Sequence, residues 1–300
     1  MDRVLHLGLH RTATTTLQDM AKAVAPALAT QGVLLLTPEG FGEGAENLRP
    51  IVRASLALQP RRGKWRSILR RRTVRRELQE RLDTLLSQRA VADAPPTRIV
   101  LSEEMMLGPA FGRRGQSFYP QAERHLRALR QVLAAPVDEV HLTLRSYDTF
   151  LTSVFAMRAV NAGNVAPFAQ IGEQLVEVRS GWPELTDLIR HLMPEARLVL
   201  RTYENSTPEM RLRDLIGDAL PEIPLERPQQ HLHRSPTAEA VEAAIALGRA
   251  PEDARAFTAQ YADGARFDPL SDTQKMALQR RYETDIGMLR TRPDIDFRQD

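Results

Sequence analysis

The chain has no cysteine, which excludes disulfides, thiolate catalysis and cysteine-ligated zinc. Lysine is nearly missing. Of 41 basic residues only Lys22, Lys64 and Lys275 are lysines and the rest are arginine, so an anion site here must be built from guanidinium forks. Aromatic residues make up 5%, too few to define a stacking platform. Phe118, Tyr119, Phe150, Phe155, Trp182 and Tyr203 are therefore read mainly as core. No run of about 18 apolar residues occurs, and no transmembrane helix is expected. The start MDRVLHLGLHRT carries Asp2, Arg3 and His6 ahead of any apolar stretch. It makes a poor secretory signal, and a cytoplasmic location is expected. The net charge of +3 is too small to point to nucleic acid as a partner.

What is present is an alternation of apolar strands and amphipathic helices. Residues 3–9 (RVLHLGL up to a turn), 32–38 (GVLLLTP), 97–106 (TRIVLSEEMM), 139–146 (EVHLTLRS) and 196–204 (ARLVLRTYE) read as strands. Thr14 to Ala29 reads as a helix with Leu17, Met20, Ala21, Val24 and Leu28 on one face. Further helices are expected over Tyr119 to Leu133, from TFLTSVFAMRAV onward and over Trp182 to Leu192. Residues 39–50 are glycine-rich and read as a loop. The region after 204 is expected to be mainly helical, broken by LPEIPLERP at 220–228. The pattern predicts an α/β fold: a central, mostly parallel sheet with helices on both faces and a helical C-terminal region. Residues 1–300 are expected to form one domain. Residues 61–90 are strongly basic, with Ile68, Leu69, Val74, Leu78, Leu82 and Leu85 on one helical face, and are read as an insertion or cap. Their basic side is either a solvated face or a lure for an anionic acceptor.

The stretch HLGLHRTATTTLQ, residues 6–18, runs from strand through glycine turn to helix. In the nucleotide-loop frame G-x-x-x-x-G-K-[ST] that begins at Gly8, Ala13 takes the place of the second glycine. Thr14 takes that of the lysine and Thr15 that of the Ser/Thr. The backbone scheme is intact, with successive N–H groups and a helix start aimed at an anion. Without the lysine, a γ-phosphate with magnesium is poorly served. Arg11 stands inside the loop with hydroxyls at Thr12, Thr14, Thr15 and Thr16, a set suited to an anion lacking a β,γ-phosphate chain. The alternative is a threonine-capped helix with no ligand. A second basic position, Arg145, ends the strand EVHLTLRS, and Ser153 follows eight residues later in the second turn of the next helix. Two clamps at adjacent strand ends suit a nucleotide with phosphates at both its 5′ and 3′ ends.

The chain thereby resembles the sulfotransferases that use 3′-phosphoadenosine 5′-phosphosulfate (PAPS). Bacterial members of that group carry a start of the form HIGLHKTGTTSLQ. His6, Gly8, Leu9, His10, Thr12, Thr14, Thr15, Leu17 and Gln18 match it. The family's 3′-phosphate pair, an arginine and a serine eight residues apart, maps onto Arg145 and Ser153. LSEE resembles its Ser-Ser-Glu strand end and places Glu104 at the acidic position. GWPELTDLIRHLMPEARLVLRTYE resembles the segment that ends in Tyr-Glu. The resemblance spans residues 3 to 204 in scattered blocks. It implies a P-loop-type three-layer fold and sulfuryl transfer from PAPS to a hydroxyl or amine of a small-molecule, glycan or lipid acceptor. No metal is implied, and His231 and His233 alone carry no metal reading.

Two departures stand out. The family lysine, which contacts the bridging oxygen and the sulfuryl group, is Arg11 here, and the family glycine is Ala13. On this reading Arg11, Thr12, Ala13, Thr14, Thr15 and Thr16 hold the 5′-phosphosulfate, while Arg145 and Ser153 hold the 3′-phosphate. Glu104 is the first candidate for general base and His10 the second. Glu104 serves equally as an ion-pair partner, and His10 as a turn residue bonded to backbone. Rival functions are an inactive homologue that binds nucleotide, suggested by Arg11 and Ala13, and a P-loop kinase, disfavoured by Thr14.

Overall fold

The computed structural model describes residues 1–38, 47–58, 65–111, 117–178, 180–217 and 235–299. The expected proline-rich break at 220–228, most of the glycine-rich loop, residues 61–64 and the pair His231/His233 lie outside them. The strands are β1 (Asp2–His6), β2 (Val33–Leu36), β3 (Arg98–Ser102), β4 (Glu139–Leu144), β5 (Arg197–Thr202) and β6 (Ile295–Phe297). The first helices are α1 (Thr14–Ala29), α2 (Leu48–Ser55), α3 (Trp65–Arg89), α4 (Ala122–Leu133), α5 (Tyr147–Ala162) and α6 (Phe168–Val176). They are followed by α7 (Trp182–Leu192), α8 (Pro208–Ile216), α9 (Ala238–Leu247), α10 (Ala254–Ala259) and α11 (Asp272–Arg290).

All six strands form one sheet in the order β2-β3-β1-β4-β5-β6, with every pairing parallel. Such a sheet is buried on both faces, so its strands are near-continuous apolar runs. The pleat sorts those runs by alternation. Val4, Val33, Leu35 and Val100 pack with Leu17, Met20, Val24 and Leu28 of α1 and Leu212, Leu215 and Ile216 of α8. Leu5, Leu34, Leu36, Ile99 and Leu101 join the larger core on the opposite face, with side chains of α4, α5, α7 and α11. Helices therefore cover both faces of the sheet. Within the larger core Trp182 stacks on Phe118 and Tyr147, with ring centroids 5.3 Å apart in each pair.

Chain order fixes where a ligand can sit. From β1 the chain runs outward to β2, returns to β3 beside β1, and then crosses to β4 on the other side. The connections after β1 and β4 therefore leave in opposite directions. In open α/β sheets the crevice at the carboxyl ends of two such strands is the ligand site.

Several expectations are corrected. β1 ends at His6 rather than residue 9, and Leu7 to Leu9 form the approach to the turn. β3 stops at Ser102, where Glu103 caps a 3₁₀ turn over Glu104–Leu107 by accepting from the Met105 N–H. Residues 48–50 open α2 instead of closing a loop. α6 and β6 were not anticipated. Strand β6 is three residues long, too short for alternation to register. On α3, Leu78, Leu82 and Leu85 are buried, whereas Leu69 is 67% exposed. Among the described residues that face is thus buried along the second half of the helix, with Val74 partly buried against the same core. No helix among the described residues is long and apolar enough to cross a membrane.

His6, at the end of β1, is buried and neutral. Its Nδ1 lies 2.8 Å from the Ser102 hydroxyl, which the Gln18 amide also donates to. Burial first, then the nearby His141 and Arg211, lower its pKa from 6.5 to about 3. Protonation below pH 6.5 therefore favours the unfolded chain, and stability falls as pH drops toward 3. From His6 alone the loss between pH 6.5 and pH 5 should be of order 2 kcal/mol. Urea titrations at the two pH values measure it, and His6→Gln should flatten that slope.

Candidate functional site

The turn after β1 is held in a conformation that side chains resist. Arg11 has φ 64° and Ala13 φ 57°, both in the left-handed region. A residue with a Cβ pays about 1–2 kcal/mol there. Gly8 has a different reason to lack a side chain: a Cβ would lie 2.7 Å from Thr14 Cγ2. Thr12 is buried and donates its hydroxyl to the Leu9 carbonyl at 2.8 Å. Thr14 Oγ1 lies 3.3 Å from Thr12 Oγ1. Those two hydroxyls stabilise the turn from inside. α1 begins at Thr14, with left-handed Ala13 at its N-cap and no side-chain cap. A helix start without such a cap leaves N–H groups and the positive end of the helix dipole for an anion.

A cavity of about 660 Å³ opens over this start, with His10, Arg11, Ala13, Thr14, Thr15, Thr16, Glu104 and Arg145 on its walls. Eight of the ten residues singled out from sequence thus meet in one place. Thr12 and Ser153 lie beneath the surface, each tied to the turn. The Thr12 hydroxyl donates inward to Leu9, so its proton serves the turn.

The two basic positions converge. Arg145 donates through Nη1 to the Arg11 carbonyl and through Nε to Thr149 Oγ1 at 3.0 Å. Its own carbonyl accepts from the Trp182 indole at 2.9 Å, so the aromatic core anchors the end of β4. Arg11 donates through Nε to Ser153 Oγ at 2.8 Å and through Nη2 to Ser235 Oγ at 2.9 Å. The two serine oxygens are themselves 2.8 Å apart. They fill the guanidinium edge that elsewhere takes a carboxylate or phosphate in bidentate fashion. Instead of two separated clamps, the structure has one contiguous cationic site. Burial lowers the pKa of Arg11, and the neighbouring Arg145 lowers it further. Burial likewise lowers Arg145.

The two adjacent glutamates have different surroundings. Glu103 is fully buried and accepts from both Nε and Nη2 of Arg49, at 3.0 and 3.2 Å. It organises the end of β3. Glu104 lines the cavity with its side chain about a third exposed, 3.6 Å from Arg49 Nη2. His10 receives a lowered pKa from burial, with Glu104 pulling it up and Arg11 pushing it down. Its Nδ1 and its backbone N–H both meet the buried Tyr119 hydroxyl, at 3.2 and 2.8 Å. The His10 ring is thus tied to a tyrosine side chain rather than to backbone, and it also lies on the cavity wall. His6 and His10, although four residues apart, do not converge on a common point: their ring partners are Ser102 and Tyr119. No group of three or more His, Asp or Glu side chains among the described residues is placed to hold a metal.

Searches against protein-family models, curated proteins and solved structures find no match for this chain.

Three residues at the site carried no sequence signal. Arg49 lies near the end of the glycine-rich stretch and belongs to no pattern. Arg211 and Ser235 belong to the C-terminal third, where no motif was read. Tyr203 was read as core, yet it is half-exposed and lines the cavity. A second cavity of about 870 Å³ shares Arg145, Met157, Asn161, Tyr203 and Ser235 with the first.

Replacing Ala13 by glycine should relieve the left-handed strain and raise stability by about 0.5–1 kcal/mol, net of the added freedom of the unfolded chain. The urea midpoint is the measurement. A loss of stability would mean that residue 13 does not have positive φ in solution.

Proposed function

We propose that this site binds PAPS and transfers its sulfuryl group to a hydroxyl or amine. One observation carries the reading: Arg11 and Arg145, from the ends of two neighbouring parallel strands, meet over an uncapped helix start. Two partly desolvated guanidiniums repel each other, and a multiply charged anion between them relieves that repulsion. The glycine turn between the first strand and the first helix, beside the crevice where the chain connections diverge, supports a P-loop-type fold.

In the proposed reaction the acceptor oxygen or nitrogen attacks sulfur in line. The bond from sulfur to the phosphate oxygen breaks, and adenosine 3′,5′-bisphosphate leaves. Charge on the departing oxygen is met by Arg11 and the N–H groups at the start of α1, electrostatic stabilisation that needs no reorganisation during the step. Arg11 must exchange Ser153 and Ser235 for that oxygen. Arg145 sets the register of the 3′-phosphate together with Ser153, whose hydroxyl Arg11 releases. The acceptor's proton goes to Glu104, or to neutral His10, both on the cavity wall. The acceptor class is a small molecule, a glycan or a lipid. Arg70, Arg72, Arg75 and Arg76, exposed on α3, would draw an anionic acceptor or a membrane surface by long-range attraction.

A second reading, an inactive homologue that only binds nucleotide, is favoured by one observation. Arg11 is held by two serines and lacks the compact ammonium that points a single charge at one atom. Adenosine 3′,5′-bisphosphate should raise the melting temperature by several degrees without magnesium, and Arg11→Ala and Arg145→Ala should abolish the rise. Labelled sulfuryl transfer from PAPS should fall about a hundredfold or more in kcat/KM for Arg11→Ala. Stabilisation with no turnover over a broad acceptor panel would select the binding role. Stabilisation by ATP only with magnesium would select a kinase.

A further inference from the structure

Arg211 lies on α8, and its side chain lines neither large cavity. It is nonetheless buried, 5% exposed, directly behind the turn. Its Nη1 donates to the Thr12 carbonyl, and its Nε donates to the Thr207 carbonyl at 3.2 Å. One residue earlier in the turn, Arg145 makes the matching contact to the Arg11 carbonyl. Both guanidiniums lie over the ring of Tyr203, with centroid distances of 4.7 Å for Arg145 and 5.7 Å for Arg211. A single aromatic ring thus spaces two cations that grip consecutive carbonyls of the turn, and its negative face offsets part of their repulsion.

A trans peptide points its C=O and the following N–H in opposite directions. Drawing the carbonyls of residues 11 and 12 toward guanidiniums therefore turns the N–H groups of Thr12 and Ala13 away from them. It also covers two carbonyl dipoles whose negative ends would repel an incoming anion. The left-handed conformations at Arg11 and Ala13 need such external contacts, since residues with a Cβ hold them only where the surroundings over-determine the backbone. Burial lowers the Arg211 pKa to about 10, so the side chain is still a cation at neutral pH.

We propose that Arg211 is a positioning residue for the anion-binding turn: working with Arg145 across Tyr203, it holds the carbonyls down so that the turn presents its amides to a ligand it never touches itself. The inference rests on the anion-binding reading of that turn, though not on the identity of the nucleotide.

The test uses the full-length chain and two probes, adenosine 3′,5′-bisphosphate and inorganic sulfate. Affinity is read by calorimetry, and the turn itself by the ¹⁵N–¹H signals of residues 12–16. For the wild type, both probes should shift those signals saturably. Arg211→Met, which keeps the packing volume and removes the donors, should weaken both probes at least tenfold. Amide signals in the middle of β4 and β5 should stay in place, a separation that a merely structural role would not produce. Should Arg211→Met fail to fold, Arg211→Lys keeps the charge but cannot span the Thr12 and Thr207 carbonyls, and should lose at least fivefold. Affinity within twofold of wild type in either folded variant overturns the proposal. Wild-type binding of sulfate at the turn without binding of the bisphosphate would end the PAPS reading and leave the role of Arg211 intact. No saturable shift with either probe overturns both.

Discussion

Parallel pairing of β1 with β4 is the constraint on which the site depends. It places His6 opposite His141 and so brings the exits of the two strands to the same edge of the sheet. One exit carries Arg11 and the other Arg145. No local preference of either segment would join them, since 134 residues separate the two along the chain. The pairing holds because both faces of the sheet are covered: α1 and α8 close one side, and the Trp182 cluster fills the other. Burial of those faces fixes the register, because a slip by one residue would exchange the two apolar sets.

Once the strand ends meet, the charge balance decides the rest. Arg11, Arg145 and Arg211 all have pKa values lowered first by burial. Glu104, Glu204, Asp148 and Glu209 act on them through space, while the fully buried Glu103 is occupied by Arg49. Among the described residues these arginines donate to neutral acceptors: the carbonyls of Arg11, Thr12 and Thr207 and the hydroxyls of Ser153, Ser235 and Thr149, with Arg145 and Arg211 also over the face of Tyr203. Neutral partners satisfy hydrogen-bond donors without cancelling charge. The neutral contacts thus fix the guanidiniums in place and leave their charges to be balanced through space. This property, more than any one contact, suits the site to an anionic ligand.

Much of the fold was legible along the chain. α1 and α7 have the limits read from their apolar spacing, and five of the six strands among the described residues were found, their ends misjudged by up to four residues. Strand ends failed for a common reason. VLHLGLH and TRIVLSEEMM continue as apolar runs past the last ladder bond, since Leu7, Leu9, Met106 and Leu107 stay buried after the backbone leaves the sheet. Hydrophobicity reports burial, whereas the strand ends where the hydrogen bonds do. On α3 the opposite error arose: Leu69 sits at a helical repeat, yet nothing packs over it closely enough to bury it.

For the candidate site, the sequence by itself determined the chemical inventory: a glycine turn rich in threonine, an arginine at each of two strand ends, a serine in the second turn of a helix and a pair of glutamates. These are local patterns, and local chain geometry expresses them. Tertiary structure alone decided their division of labour. It turned the Thr12 hydroxyl inward, sent Glu103 to Arg49 while leaving Glu104 on the cavity wall, and set Ser235 against Arg11. It also seated Arg211 behind the turn. Such choices depend on which groups arrive from elements distant in sequence, and the need to satisfy each buried donor and acceptor settles them only once the sheet has brought those elements together.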